Sequence, residues 1–198
     1  MHTRKSKLVR SLVVAFPGVA FLVLLTGCQT APPWKLEFKA NAAAPVRVDV
    51  VGINVIDLPD WKAVAVDDYW TNGVMAMRKH ADRLTFQLVG GKFKVEEAKV
   101  LHGEEGVAGV GTDKLTVARD NAVWNEWMKR NAVYLVVIGD FPGSSPGTPD
   151  LRKRILPLSG KYWDAERCTL QIEIQESQVK VLTPPSAKAP KIAAKLGL

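Results

Sequence analysis

The sequence predicts a mainly-β fold, a β-sandwich with one or two short helices inserted. Three observations carry that prediction. Residues 34–40, 84–89 and 168–175 alternate apolar and polar side chains, the period of a half-buried strand. Gly, Pro and Asn breaks separate these short runs at close intervals. Helical spacing is confined to a stretch near 120–130 and a short turn near 67–70.

In chain order, Trp34, Leu36, Phe38 and Ala40 alternate with Lys35, Glu37 and Lys39 and read as a first strand, followed by the loop Asn41-Ala42-Ala43-Ala44-Pro45. Residues 46–56 read as a second strand whose apolar phase changes midway, from Val46, Val48 and Val50 to Val51, Ile53 and Val55. A strand that slipped by one residue would turn its side chains to the wrong face, so a bulge or bend at Gly52 is expected. Leu58-Pro59-Asp60 breaks that strand. Asp67 or Asp68 is placed to cap a short helix holding Tyr69 and Trp70, which Asn72-Gly73 interrupts. Leu84, Phe86 and Leu88 share one strand face, and Gly90-Gly91 ends that strand. Residues 92–111 are polar and Gly-rich and read as edge strands and loops, and residues 115–117 as a brief strand.

Asp120 is the expected N-cap of a helix carrying Val123, Trp124, Trp127 and Met128, with Lys129-Arg130 at the negative end of its dipole. Residues 132–138, AVYLVVI, are the most apolar run and read as a central strand. A Pro/Gly/Ser loop follows over 139–150, then an edge strand over 152–158, where Pro157 is tolerated. Cys168, Leu170, Ile172 and Ile174 mark a strand that returns over 178–182 as a hairpin. The Pro/Ala/Lys tail, residues 184–198, carries too little apolar surface to offset the entropy of ordering and is expected to be disordered.

The N-terminus has the layout of a secretory signal. Arg4, Lys5, Lys7 and Arg10 precede a nearly unbroken apolar run to Leu25, and Leu25-Thr26-Gly27-Cys28 closes it. A cysteine after a small pair at that junction reads as a bacterial lipobox, so the mature chain would begin at a lipid-modified Cys28. An uncleaved signal anchor is the alternative, since a span needs roughly 20 apolar residues. One acyl chain binds a membrane only marginally, at ~0.8 kcal/mol per buried methylene, whereas several on one residue hold permanently. The expected organisation is therefore signal peptide 1–27, lipidated tether 28–33, sandwich 34–183 and tail 184–198.

Leaving out residues 1–27, with four basic residues and no acid, lowers the net charge from +7 to +3. Such a chain, with no basic stripe interleaved with aromatics, is not read as a nucleic-acid binder. About 150 residues suit one domain with a real core. With Cys28 lipidated, only Cys168 remains of the two cysteines, so no intramolecular disulfide forms.

Catalytic constellations are sparse. His80 lies in a charged run and His102 precedes Gly103-Glu104-Glu105, which supplies at most two ligands where zinc needs three or four. Ser144 and Ser145 match no nucleophile elbow. Residues 106–111 lack the Lys-Ser ending of a phosphate loop. Asp67-Asp68 and Asp113 lack the spacing of a calcium loop. Cys168 shares a face with Leu170, Ile172 and Ile174 and reads as inert core, with a reactive thiol as the alternative. The six tryptophans, Trp34, Trp61, Trp70, Trp124, Trp127 and Trp163, read as core or interface residues, with a sugar-stacking site as the alternative. No enzyme, metal or cofactor is expected.

The lipobox LTGC at 25–28, the strands KLEFKA and VRVDVVGINVI, the aromatic stretch DYW, the strand AVYLVVIGDF and the hairpin CTLQIEIQESQVKVL follow one another in an order that resembles the TssJ family, the outer-membrane lipoproteins of type VI secretion. The first loop is short for that family, and residues 103–130 look like an insertion. The resemblance implies a transthyretin-like β-sandwich with extra helical elements. It implies a diacylglyceryl thioether and an acylated amino group at Cys28, and Gln29 in place of aspartate favours the outer membrane of a Gram-negative bacterium, on its periplasmic face. It further implies a structural scaffold that binds the periplasmic domain of the inner-membrane protein TssM. Candidate contacts are Asn41, Ala42, Ala43, Ala44 and Pro45, with Pro142, Gly143, Ser144 and Ser145 in the later loop. The alternative function is an envelope lipoprotein that binds a glycan or small ligand through exposed tryptophans.

Overall fold

The computed structural model of this chain describes residues 34–71, 82–97, 107–141, 149–164 and 168–196. Two five-stranded sheets face each other. The first runs β10-β9-β1-β6-β5, with β1 at Lys35–Asn41, β5 at Val107–Ala108, β6 at Lys114–Val117, β9 at Thr169–Gln175 and β10 at Val179–Val181. The second runs β4-β3-β2-β7-β8, with β2 at Val46–Ile53, β3 at Arg83–Val89, β4 at Lys92–Glu97, β7 at Tyr134–Asp140 and β8 at Lys153–Pro157. All pairings are antiparallel except β1 with β9, which run parallel from Lys35↔Thr169 to Asn41↔Gln175. The expected β-sandwich is therefore present, with four short helices among the described residues: α1 Leu58–Ala63, α2 Val66–Thr71, α3 Ala122–Lys129 and α4 Ala189–Leu196.

The alternating strands behave as their period dictates. Leu36 and Phe38 of β1, Leu84, Phe86 and Leu88 of β3, and Leu170, Ile172 and Ile174 of β9 fill the space between the sheets and are wholly buried. Phe38 and Phe86 meet across that space with ring centroids 4.9 Å apart. Gly90 and Gly91 both take positive φ, the twist that a two-residue hairpin turn needs between β3 and β4.

Strand β2 corrects the sequence reading. Its pairing runs unbroken from Val46 to Val51 against β3 and from Arg47 to Ile53 against β7, so there is no bulge at Gly52. The apolar phase changes because both faces are covered. Val46, Val48 and Val50 join the core between the sheets, while Val51 and Ile53 join a second cluster on the outer face. That cluster also holds Tyr134, Val136 and Ile138 of β7, Leu58 and Trp61 of α1, and Val66 and Tyr69 of α2. The irregularity in this sheet lies instead between Thr85 and Gln87, where β3 meets β4. Gly52 has a different task. A Cβ there would overlap the indole of Trp127, which α3 lays against the strand.

Helix α3 begins one residue later than its acids suggest. Asn121, not Asp120, is the N-cap, and its Oδ1 accepts the Val123 amide at 2.9 Å. Asn121 is buried, while Asp120 points to solvent. Trp124 and Trp127 pack edge to face at 4.9 Å, and Trp127 Nε1 donates to the Asp82 carbonyl at 2.8 Å. The apolar strand β7 lies between β2 and β8, and β2 takes the central place expected for it.

Residues 183–189 are tied to the sandwich where a disordered tail was expected. The Gln171 amide donates to Thr183 Oγ1 at 2.8 Å, the Asp164 amide to the Pro184 carbonyl at 2.9 Å and the Ser186 amide to the Tyr162 carbonyl at 2.8 Å. Ala189 is buried where α4 begins. Two effects outweigh the low apolar content. Residues 162–164 satisfy the tail's backbone groups, and the prolines reduce the freedom the unfolded tail would otherwise lose.

Against the second sheet's helices, the outer face of the first is polar. Glu37 sits among Lys35 Nζ at 2.6 Å, Lys114 Nζ at 3.2 Å and Gln171 Nε2 at 3.2 Å. The hydrogen bond from Lys35, joined by those from Lys114 and Gln171, holds its carboxyl at about 2, below the ordinary 4.5. Glu37 therefore stabilises the fold above pH 4.5, and that contribution fades as the pH falls towards 2. In urea titrations across that window, Glu37→Gln is expected to be less stable than the native chain at pH 6 and to approach it at pH 2.5. Gly52→Ala is expected to cost about 1–3 kcal/mol by chemical denaturation, because the added carbon must displace the Trp127 ring.

Candidate functional site

Two ends of the sandwich can be told apart by the chain entering one of them. Trp34 leads into β1 and is fixed there, its Nε1 donating to the Leu158 carbonyl at 2.9 Å. The near end thus holds Trp34, the end of β8, the start of β7 and the end of β2. The far end holds the loop after β1, the hairpin turns at Gly90-Gly91 and Glu176-Ser177, and both stems of the loop between β7 and β8.

The first predicted contact loop lies at the far end. Asn41, Ala43 and Pro45 are exposed and Ala44 is half-buried. Ala42 corrects the expectation: it is 3 % exposed and packs into the core, so it is unavailable to a partner. The Ala43 amide donates to Glu176 Oε1 at 2.8 Å, which fixes the loop to the β9–β10 turn. Pro142, Gly143, Ser144 and Ser145 lie outside the described residues, but the stems of their loop do not. Asp140 accepts from Arg47 Nη2 at 3.0 Å across the pairing that joins β7 to β2, one residue beyond Val46, where the first loop ends. Both predicted loops therefore spring from neighbouring strand ends.

The C-terminal stem of the second loop is anchored by charge. Arg152 is buried and meets Asp150 Oδ2 at 2.8 Å and Asp67 Oδ1 at 2.7 Å. Asp150 and Asp67 raise the guanidinium above its ordinary range, so it stays charged, and Arg152 in turn lowers the Asp150 carboxyl. The neighbouring Lys153 reaches the C-terminal end of α1, its Nζ donating to the Trp61 carbonyl at 2.9 Å, to the Lys62 carbonyl at 3.2 Å and to the Val64 carbonyl. Burial lowers its pKa. The guanidinium of Arg47 stacks on Trp70, 4.5 Å from the ring centroid. These long-range pairs had no sequence signal, except that Asp150 stands two residues before Arg152.

The tryptophans settle one alternative. Trp34, Trp61, Trp124, Trp127 and Trp163 are all buried, and Trp70 is half-buried against Tyr69 and Arg47. A sugar-stacking platform needs exposed indole faces, so the glycan reading through exposed tryptophans is overturned. Cys168 is half-buried against the main core. Asp67, considered as a calcium ligand, is bonded to Arg152. His80, His102 and Cys28 lie outside the described residues. Among the described residues no three His, Cys, Asp or Glu side chains converge on a metal position, and no helix is long and apolar enough to cross a membrane.

No protein-family model and no curated protein matches this chain. Solved structures do. One is a type VI membrane complex, at 12% identity and a TM-score of 0.46, covering 75% of this chain and 96% of that one. A second is the C-terminal domain of the type VI protein TssM from EAEC, at 11% identity and a TM-score of 0.45, with 75% and 99% covered. A third is the type VI lipoprotein TssJ1 of Pseudomonas aeruginosa, at 12% identity and a TM-score of 0.40, with 78% and 99% covered.

Arg152→Ala is expected to destabilise the fold by about 2–3 kcal/mol in urea, below the ~3–5 kcal/mol of a fully buried pair because Asp67 is solvent-exposed. Arg152→Lys should recover only part of that loss, since an ammonium cannot make the guanidinium's paired bonds to two carboxylates.

Proposed function

We propose that this chain is a lipid-anchored scaffold of the bacterial envelope, a component of a type VI secretion membrane complex. In this reading Cys28 carries the diacylglyceryl and acyl chains that hold it in the outer membrane on the periplasmic face. The far end of the sandwich then binds the periplasmic domain of a TssM-like inner-membrane protein. The lipobox at 25–28 and the strand order that resembles the TssJ family support the class of protein.

The observation that carries the binding site is the placement of the two loops. Asn41, Ala43, Ala44 and Pro45 and the stems of the loop holding Pro142, Gly143, Ser144 and Ser145 spring from adjacent strand ends. They lie opposite the end where Trp34 enters. A strand of seven residues is about 24 Å long, so a partner at the far end meets the protein well clear of the anchor. The first loop is held by Glu176 and the C-terminal stem of the second by Arg152, which lowers the ordering cost of association at those points. No nucleic acid, metal or cofactor has a part in this reading.

The test is calorimetry of residues 29–198 against the periplasmic domain of the same organism's TssM-like protein. Saturable one-to-one binding is expected. Pro45→Asp should weaken it by about tenfold or more, the loss of ~1.4 kcal/mol or more at a well-packed contact. Ile56→Ser, at the near end, should leave it unchanged. A folded sample that binds nothing would remove the type VI reading.

A further inference from the structure

Among the described residues, the large apolar side chains left in water are Val55 at 59 % exposed, Ile56 at 81 %, Val110 at 54 % and Leu151 at 37 %. Val110 and Leu151 stand at the far end. Val55 and Ile56 stand together at the near end, on the link between β2 and α1. That link is built, not slack. The Ile56 and Asp57 amides donate to Asn54 Oδ1 at 2.7 and 3.0 Å, an Asx turn that fixes the tip. Its base is fixed too, because the Val133 amide donates to the Ile53 carbonyl at 2.8 Å. On the other side of the tip, Leu58 opens α1 and is buried against the outer face of the second sheet. An isoleucine side chain is thus presented to solvent on a rigid support.

The same hydrogen bonds place this tip relative to the point where the chain enters. Ile53 receives Val133, Val133 receives the Leu158 amide at 2.8 Å, and Leu158 receives Trp34 Nε1 at 2.9 Å. From β2 across β7 to β8 is two strand spacings, about 10 Å. From Cys28 to Trp34 is six residues, which fully extended span about 20 Å at most. A bilayer holding Cys28 therefore lies within about 30 Å of Val55 and Ile56, while Val110 is a strand length further away from the entry point.

We propose that Val55 and Ile56 form a membrane-contact tip that enters the headgroup boundary of the same phospholipid bilayer that holds the anchor. The inference rests on anchoring at Cys28. The tip adds a second point of contact, so the sandwich stands upright with its far end turned away from the lipid. Apolar side chains at such a boundary reach about 5–10 Å into it, a depth the tether permits.

The experiment uses the full chain, exported and lipidated in its host and then reconstituted into phosphatidylethanolamine–phosphatidylglycerol vesicles. Cys168→Ala removes the other thiol. Ile56→Cys and Val110→Cys each receive an environment-sensitive fluorophore, and nitroxide-bearing lipid serves as quencher. The label at 56 is expected to lose about half its fluorescence, and to be quenched at least about threefold more strongly than the label at 110. Protein that floats with the vesicles while both labels are quenched alike overturns the membrane-contact tip and leaves the anchor standing. Protein that carries no acyl mass on Cys28 and fails to float overturns the anchor, and the tip with it.

Discussion

Strands β2 and β7 have no side that faces water, and the rest of the structure answers to that. Their inner faces meet the first sheet. Their outer faces require a second cover, which α1 and α2 supply through Leu58, Trp61, Val66 and Tyr69. Two helices of six residues each are too short to be stable alone, so they must be fastened. The fastenings are polar. Tyr69 donates to Asp49 Oδ2 at 2.8 Å and Thr85 to Asp49 Oδ1 at 2.6 Å, with Arg83 Nε at 3.5 Å, so a carboxylate on a buried strand face is compensated. Lys153 takes the last carbonyls of α1, and Arg152 takes Asp67 of α2. The asymmetry between the sheets follows: helices cover the outer face of one, and the other keeps a polar outer face on which Glu37 is buried among Lys35, Lys114 and Gln171.

Period-2 patterning makes most of the strands legible in the sequence. β1, β3 and β9 have one dry and one wet face, so their alternation is direct. β2 misled because a strand with two dry faces need not alternate, and Val50-Val51 reads as a slip when it is a change of layer. Gly52 marks a close approach and not a bulge, and the sequence holds no sign that Trp127, far along the chain, lies against it. For α3, Asp120 and Asn121 are equally good caps in isolation, and burial of Asn121 decides between them. Composition measures only what a segment can bury, whereas residues 184–186 are held by backbone groups of residues 162–164.

The far-end loops show the same division. Their existence is readable from Ala-Pro and Pro-Gly-Ser composition. The adjacency of their stems is not, because it depends on β2 pairing with β7. Nor is the loss of Ala42 to the core, since a small apolar residue in a loop carries no signal of which way it will turn. Charge pairs such as Asp67 with Arg152 join residues 85 positions apart, beyond the reach of any local pattern.

The pairing of β1 has a consequence for how the chain acquires its fold. Both neighbours of β1 come late: β6 at Lys114–Val117 and β9 at Thr169–Gln175, with Glu37 and Gln171 lying 134 residues apart. A chain that emerges from its N-terminus gains its first strand early and cannot use it. β1 stays an unpaired strand with Leu36 and Phe38 in water until most of the sequence has followed. Closing so long a loop is slow and leaves that apolar segment open to wrong partners in the interval. The first sheet is thus completed from the C-terminal side, and a chain shortened before β9 would leave its first strand with β6 alone.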